Sequence, residues 1–251
     1  MLCLKISENK NFSLISVILF LLYPYFFGHA QINGKDIPFM SIWIIATYFL
    51  INVIEKFYYD KKIDIKLICY ISFVTSFLIS IRIVGILIFI QYLIALFILL
   101  NLRNLNFFTF IKKNIIFFSI FTILLIIFTY LLNPILWLNP LEIINSVKWM
   151  GKYYHDVCTL TLGSCMRALN LPSSYIFIWF FFKLPIIILL GLFLFPFVEE
   201  KILKKDIKTI IYGTSIITPL SLLFIFIIKN VALYDEIRHV MFLIPFLFLV
   251  A

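Results

Sequence analysis

Long apolar runs, separated by short polar or charged stretches, dominate this chain of 251 residues. A helix needs roughly 20 consecutive apolar residues to cross a bilayer, with about 17 as the lower limit. Runs near that length predict spans at residues 12–27, 37–54, 64–81, 83–100, 115–138, 174–197 and 209–228, and an eighth beginning near Val240. The pattern predicts an all-α, polytopic transmembrane protein of seven to eight helices, with residues 1–251 forming one membrane domain.

The connections between the predicted spans differ greatly in length. The third and fourth spans form a tight hairpin at Arg82, and Pro134 is expected to kink or end the fifth span. One long external loop covers residues 139–173, and loops of this length are more often functional than mere connectors. Within this loop, the apolar spacing of residues 141–154 predicts an amphipathic helix on the membrane surface.

Composition supports a membrane protein and argues against a soluble one. Hydrophobic residues make up 64% of the chain and charged residues 13%, against about 25% charged in soluble domains. A soluble protein of this size lacks the polar surface to cover so much apolar area. The net charge of +9 would suit a nucleic-acid binder, but the basic residues flank the apolar runs, so no nucleic-acid partner is predicted.

The distribution of basic residues predicts an orientation. With the N-terminus in the cytoplasm, thirteen Lys and Arg residues fall on the cytoplasmic side and seven on the other, while Lys183 falls inside a predicted span. We therefore expect a multi-pass protein of a bacterial inner membrane with a cytoplasmic N-terminus. The alternative, a cleaved signal peptide ending near Ala30, is disfavoured by the bulky residues just before that point.

Under this topology the chemically unusual residues gather on the non-cytoplasmic face. Lys35 and Asp36 begin the second span, where Asp36 can serve as a helix N-cap, a role that does not exclude a role in a site. Arg82 either snorkels to the membrane boundary or binds a lipid-linked phosphate through its bidentate guanidinium. His29 lies on the same side.

A second polar group precedes the last span. Asp235 is spaced to meet Arg238 or His239 on one helical turn. The group is either a solvated polar helix cap or a clamp for a pyrophosphate. No metal-ligand spacing, phosphate loop or dinucleotide motif is present in the sequence, so no metal or cofactor is predicted. Cys158 and Cys165, in the long loop, are candidates for a disulfide.

Several short motifs, in this order, resemble multi-spanning glycosyltransferases of the C-type fold, especially family 39-like enzymes related to protein mannosyltransferases. The resembling segments are residues 23–29 (YPYFFGH), 33–39 (NGKDIPF), 80–85 (SIRIVG), 133–141 (NPILWLNPL), 170–176 (NLPSSYI) and 234–239 (YDEIRH). They cover most of the chain from residue 23 onward, and their order and common membrane face carry the resemblance.

The resemblance implies transfer of a sugar from a polyprenyl-phosphate donor to a glycan, lipid or protein acceptor on the non-cytoplasmic face. It implies that Arg82, Arg238 and His239 bind the donor phosphate as it gains charge. Asp36 and Lys35 match a segment in which the family often has catalytic acidic and polar residues. His29 and Asp235 are further candidates.

The sequence departs from the family pattern in one respect. Family members have a helix and an acidic external loop, which carries the principal general base, before the segment that matches residue 23. We therefore expect this chain to be an internal piece of a longer enzyme. If the chain is complete as given, we expect it to lack the principal base and to be inactive alone. The alternatives are a transporter or flippase for a lipid-linked substrate, and an inactive membrane pseudo-enzyme. The internal repeats and paired broken helices typical of transporters are not evident in the sequence.

Overall fold

The structure is a computed structural model and describes residues 1–149, 158–161, 163–202, 206–231, 233 and 236–251. Within these residues the α-helices are α1 (Leu2–Ser7), α2 (Lys10–Leu21), α3 (Pro24–Ile32), α4 (Asp36–Tyr58), α5 (Ile65–Ile81), α6 (Ile88–Leu102), α7 (Phe107–Lys113), α8 (Ile115–Leu132), α9 (Ile135–Leu138), α10 (Glu142–Trp149), α11 (Tyr175–Lys183), α12 (Ile186–Ile202), α13 (Ile207–Ile228) and α14 (Ile244–Val250). Short 3-10 helices cover Ile83–Leu87, Ala168–Asn170 and Arg238–Leu243.

The predicted helical class is confirmed, with fewer continuous spans than predicted. In the described part of the chain, four helical segments are long and apolar enough to cross a membrane, namely Asp36–Tyr58, Ile83–Leu102, Ile115–Leu132 and Ile207–Ile228. The number rises to six if each of two bent helix pairs counts as one span. The fifth predicted span ends at Leu132, and the chain leaves the helix at Asn133, before Pro134, as predicted.

Two of the predicted spans are broken, and prolines explain both breaks. The axes of α2 and α3 differ by 60°, and those of α11 and α12 differ by 113°. Tyr23 and Leu184 each precede a proline, which disfavours the helical conformation of the residue before it. The ψ angles of these residues are 117° and 142°, so the backbone is extended at each break. The structure thus contains two bent helix pairs that were not evident in the sequence.

Helices α4, α5, α6, α8 and α13 form a bundle whose two ends differ in chemistry. Helix α4 begins at Asp36, and both Arg82 (after α5) and Arg238 contact this residue. At the opposite end of α4, Asp60 contacts Arg103 (after α6) and Lys113 (after α7). We call these the Asp36 end and the Asp60 end. The helices therefore alternate in direction as the sequence predicted.

Exposed ion pairs gather at the Asp60 end. Asp60 Oδ1 and Oδ2 lie 2.8 Å from Lys113 Nζ and 2.7 Å from Arg103 Nη2. Hydrogen bonds from Lys113 and then Arg103 lower the pKa of the Asp60 carboxyl below its usual value. Because these groups are largely exposed, water and salt screen them, and each pair contributes little to stability.

Helices α5 and α8 run parallel and are joined by a ladder of small polar side chains. Ser72 Oγ donates to the carbonyl of Phe121, and Ser76 Oγ donates to the carbonyl of Leu125, at 3.4 and 3.1 Å. Near the Asp36 end, Asn133 Nδ2 donates to Ser80 Oγ at 2.9 Å. Small residues let two helix backbones approach closely. Close packing and hydrogen bonds of this kind hold helices together in a membrane, where the hydrophobic effect does not drive helices to associate.

A buried polar chain links α4 to α6 in the interior of the bundle. Trp43 Nε1 donates to Gln91 Oε1 at 2.7 Å, and Gln91 Nε2 donates to Thr47 Oγ1 at 3.0 Å. All three side chains are almost fully buried. Because each polar group finds a partner, the chain avoids the cost of an unpaired buried group and fixes the register of the two helices.

The long predicted loop contains more structure than one surface helix. Helix α10 confirms the first part of the predicted amphipathic segment, and residues 150–157, with His155 and Asp156, lie outside the described residues. Strands β1 (Cys158–Thr161) and β2 (Ser164–Arg167) form an antiparallel hairpin that the all-α prediction missed. Cys158 and Cys165 form a disulfide across this hairpin, with their Cα atoms 5.5 Å apart.

Gly85, in the hairpin between α5 and α6, should not tolerate a larger side chain. A Cβ atom at this position would lie 2.8 Å from the carbonyl oxygen of Leu78, a backbone atom that cannot rotate away. We expect Gly85→Ala to lower the free energy of unfolding by about 1–3 kcal/mol through overpacking. Thermal unfolding in detergent measures this change.

Gly28→Ala is the matched control, because a Cβ atom on Gly28 would meet nothing within 4 Å. This variant should unfold at or slightly above the wild-type temperature, since alanine favours a helix. Equal unfolding temperatures for the two variants would contradict the tight packing of the hairpin.

Candidate functional site

Helix α3 and the turn after it prepare the start of α4. Asn33 ends α3, and its backbone N–H donates to the carbonyl of His29 at 2.8 Å. The Asn33 Oδ1 atom accepts hydrogen bonds from the backbone N–H groups of Asp36 and Lys35, at 3.0 and 3.3 Å. Asn33 thus satisfies N–H groups that the beginning of α4 leaves without partners.

The prediction that Asp36 caps α4 was wrong. Asp36 is the first residue of the helix, and Lys35 takes the N-cap position. Because Asn33 already serves the N–H groups, both carboxylate oxygens of Asp36 are available to side chains. Asn33 Nδ2 donates to Asp36 Oδ2 at 2.8 Å. The carboxylate is only 4% exposed.

Two arginines from distant parts of the sequence converge on this buried carboxylate. Arg82 Nη1 donates to Asp36 Oδ1, and Arg238 Nε donates to Asp36 Oδ2 at 2.9 Å. The two arginines lie 46 and 202 residues from Asp36 along the chain. Snorkelling alone therefore does not describe Arg82, because its guanidinium bonds to the nearly buried carboxylate of Asp36.

Local structure explains why each arginine reaches the carboxylate. Arg82 follows α5 in an extended conformation, and the close approach of Gly85 to Leu78 holds the hairpin tight. Arg238 begins the 3-10 helix that leads into α14. The side chains of Arg82 and Arg238 remain 28% and 39% exposed, so neither arginine is fully buried with the carboxylate.

We call Asn33, Asp36, Arg82 and Arg238 the Asp36 cluster. Among its described members, two guanidinium groups contact one carboxylate. Positive charge, guanidinium groups and partial exposure together suit the binding of an anion such as a phosphate.

The other predicted site residues differ in their relation to this cluster. His29 adjoins it, with Nδ1 3.4 Å from Asn33 Nδ2. His239 follows Arg238 directly and is partly buried. Lys35 is exposed, and its side chain makes no ion pair within the described residues. Asp235 lies outside the described residues, so its predicted contacts with Arg238 and His239 stay predictions.

Sequence analysis missed a second polar group at the same end. Lys183, expected within a span, lies at the end of α11, where its Nζ is 2.8 Å from Glu236 Oε2. The Glu236 backbone N–H donates to Tyr175 Oη at 2.9 Å. A lysine inside a predicted span was a signal for this pair, since intramembrane charges usually mark a partner or a site.

The described residues hold no group of three or more His, Cys, Asp or Glu side chains that could bind a metal ion. No family model, curated protein or solved structure matches the chain.

Removal of the Asp36 charge should destabilise the protein. In Asp36→Asn, two guanidinium groups would face each other without the carboxylate that compensates them. We expect the free energy of unfolding to fall by about 2 kcal/mol, less than for a fully buried ion pair because both arginines are partly exposed. Thermal or denaturant unfolding in detergent measures the loss.

Lys35→Gln serves as the control, since it removes an adjacent but exposed charge. It should unfold within about 0.5 kcal/mol of the wild type, as surface substitutions usually do. If Asp36→Asn were equally harmless, the three-residue ion pair would not contribute to the folded state.

Proposed function

We propose that this protein acts in the transfer of a sugar from a polyprenyl-phosphate donor to an acceptor at the Asp36 end. The observation that carries the proposal is the convergence of Arg82 and Arg238 on Asp36. A donor of this kind has a phosphate at the membrane boundary, where the guanidinium groups of two partly exposed arginine side chains can bind its oxygens. The resemblance of the motifs to C-type glycosyltransferases supports the same function.

Asp36 and the donor phosphate would compete for the same two arginines. When a phosphate enters, its charge takes over part of the role of the Asp36 carboxylate. Asp36 is then free to accept a proton from an acceptor hydroxyl, which is the role of a general base. The arginines stabilise the phosphate as it becomes the leaving group and gains charge. Binding of the donor would thus prepare a carboxylate that assists the principal base, which the resemblance assigns to an external loop before residue 23.

The orientation proposed here has the Asp36 end outside and the Asp60 end in the cytoplasm. Ion pairs formed by Lys5, Lys56, Arg103 and Lys113 lie at the Asp60 end. Cytoplasmic segments carry an excess of Lys and Arg in membrane proteins. The two bent helix pairs and the two shorter apolar helices, taken as spans, would bring the total to the eight predicted.

Transport of a lipid-linked substrate is the second candidate, and the broken helices favour it. Two discontinuous helices, α2–α3 and α11–α12, occur in the described part of the chain. Transporters often bind their substrates at such breaks. Transport predicts movement of the intact lipid-linked sugar between the leaflets of a vesicle, whereas transfer predicts release of a polyprenyl phosphate.

Binding of a polyprenyl phosphate tests the phosphate site directly. We expect Arg82→Gln and Arg238→Gln each to weaken binding about tenfold, as expected for loss of one charge-assisted hydrogen bond. Asp36→Asn should bind at least as tightly as the wild type, because it removes the competing carboxylate. Titration of the purified protein in nanodiscs gives the dissociation constants.

Lys229→Gln is the control for net charge, since Lys229 is an exposed residue that follows α13 at the Asp36 end. It should bind the lipid as the wild type does. The phosphate assignment is wrong if both arginine variants keep wild-type affinity, or if Lys229→Gln loses as much affinity as they do.

The orientation is tested by labelling single cysteines placed at the two ends. With the native cysteines replaced by serine, Lys229→Cys should react with a membrane-impermeant maleimide in intact cells. Lys113→Cys should react only after the membrane is opened. The reverse pattern would contradict the proposed orientation.

A further inference from the structure

The two helix breaks meet at one point of the structure. Tyr23, at the break between α2 and α3, donates a hydrogen bond from its hydroxyl to the carbonyl of Lys183, at the break between α11 and α12. The oxygen–oxygen distance is 2.9 Å. Irregular backbone is tolerated within a membrane protein where it is buried or faces a polar cavity, and such places often bind substrates.

Two aromatic rings and one ion pair surround this junction. Lys183 Nζ lies 5.5 Å from the centre of the Tyr25 ring and 5.2 Å from that of Trp179. The same atom pairs with Glu236, and both charged side chains are 31% exposed. We call Tyr25, Trp179, Lys183 and Glu236 the Lys183 cluster.

The charges of the Lys183 cluster favour an uncharged ligand. Lys183 would repel a cation and Glu236 would repel an anion, whereas the pair together is neutral. A ligand with hydroxyl groups can donate to the carboxylate and accept from the ammonium group without disturbing this balance. The two aromatic rings offer faces for apolar C–H groups. A sugar ring combines these properties.

One further polar group has no acceptor. Trp179 Nε1 is enclosed and makes no hydrogen bond to the described residues. An enclosed N–H group without an acceptor is costly, and a nearby ligand oxygen or a water molecule can satisfy it. This group lies on the ring that contacts Lys183.

The Lys183 cluster is connected to the Asp36 cluster along one side of α3. The Tyr25 and His29 rings are 4.5 Å apart, and His29 in turn lies beside Asn33 of the Asp36 cluster. On the other side, Glu236 lies only two residues before Arg238. A neutral, hydroxyl-binding group of residues therefore adjoins a positive, phosphate-binding one.

We propose that the Lys183 cluster binds the sugar of the lipid-linked donor while the Asp36 cluster binds its phosphate. This inference rests on the proposed function, because it takes the donor to be a polyprenyl-phosphate sugar. The two clusters adjoin, as the sugar and the phosphate do in such a donor. Trp179 and Tyr25 contact the ring of the sugar, and Glu236 and Lys183 bind its hydroxyl groups.

The test compares lipids with and without a sugar in the same binding assay. The full chain in nanodiscs is titrated with bare polyprenyl phosphate and with its mannosyl, glucosyl and arabinosyl forms. We expect at least one sugar-bearing lipid to bind the wild type more tightly than the bare lipid. Trp179→Leu and Glu236→Gln should weaken binding of that lipid about tenfold and leave binding of the bare lipid unchanged. Trp137→Leu, which removes an exposed indole from α9, should change neither affinity.

The outcomes separate this inference from the proposed function. If no sugar-bearing lipid binds more tightly than the bare lipid, the sugar site is wrong, although the phosphate site stands. The same holds if Trp179→Leu and Glu236→Gln weaken both lipids equally, which would indicate a role in positioning Arg238. If the wild type binds none of the lipids, the proposed function itself fails.

Discussion

A nearly buried carboxylate shared by two arginines is the interaction on which the Asp36 end depends. Electrostatic interactions strengthen as water is excluded, so a charge left alone there is costly. Asp36, Arg82 and Arg238 must therefore assemble together, and they bring the start of α4, the α5–α6 hairpin and the segment before α14 to one point. Apolar packing also joins these segments, since Phe39 and Trp43 of α4 lie against Phe242, shortly after Arg238. The shared carboxylate therefore adds a charged contact to an apolar one.

The two ends of the bundle use charge in different ways. At the Asp60 end the ion pairs are exposed and screened, and they suit a surface in contact with water or lipid headgroups. At the Asp36 end the central carboxylate is nearly buried, and a second ion pair lies beside aromatic rings at two helix breaks. Substitutions of the exposed ion pairs should change stability little, whereas the nearly buried carboxylate requires its particular partners.

The sequence predicted the helices well, because long apolar runs and flanking charges depend on local chemistry. It also predicted that Asp36, Arg82 and Arg238 share one face, although not that they touch. The breaks at Tyr23 and Leu184 were visible as X-Pro pairs, but hydropathy averages across such short interruptions. Lys183 inside a predicted span indicated that it has a partner, but the sequence did not show that this partner is Glu236, because the two residues are distant in sequence. The hairpin of Cys158–Arg167 depends on a turn within a long loop and was not predicted.

The serine ladder between α5 and α8 has a consequence for how these parallel helices are aligned. Ser72 and Ser76 bond to carbonyls that are also four residues apart, so a slide by one helical turn would re-form a similar bond. Repeating contacts of this kind hold two helices together without choosing one alignment. The side chain of Asn133 bonds to Ser80, the last serine of this series at the Asp36 end, so a slide of α8 further toward that end would lose this bond. One amide thus limits the slide in one direction.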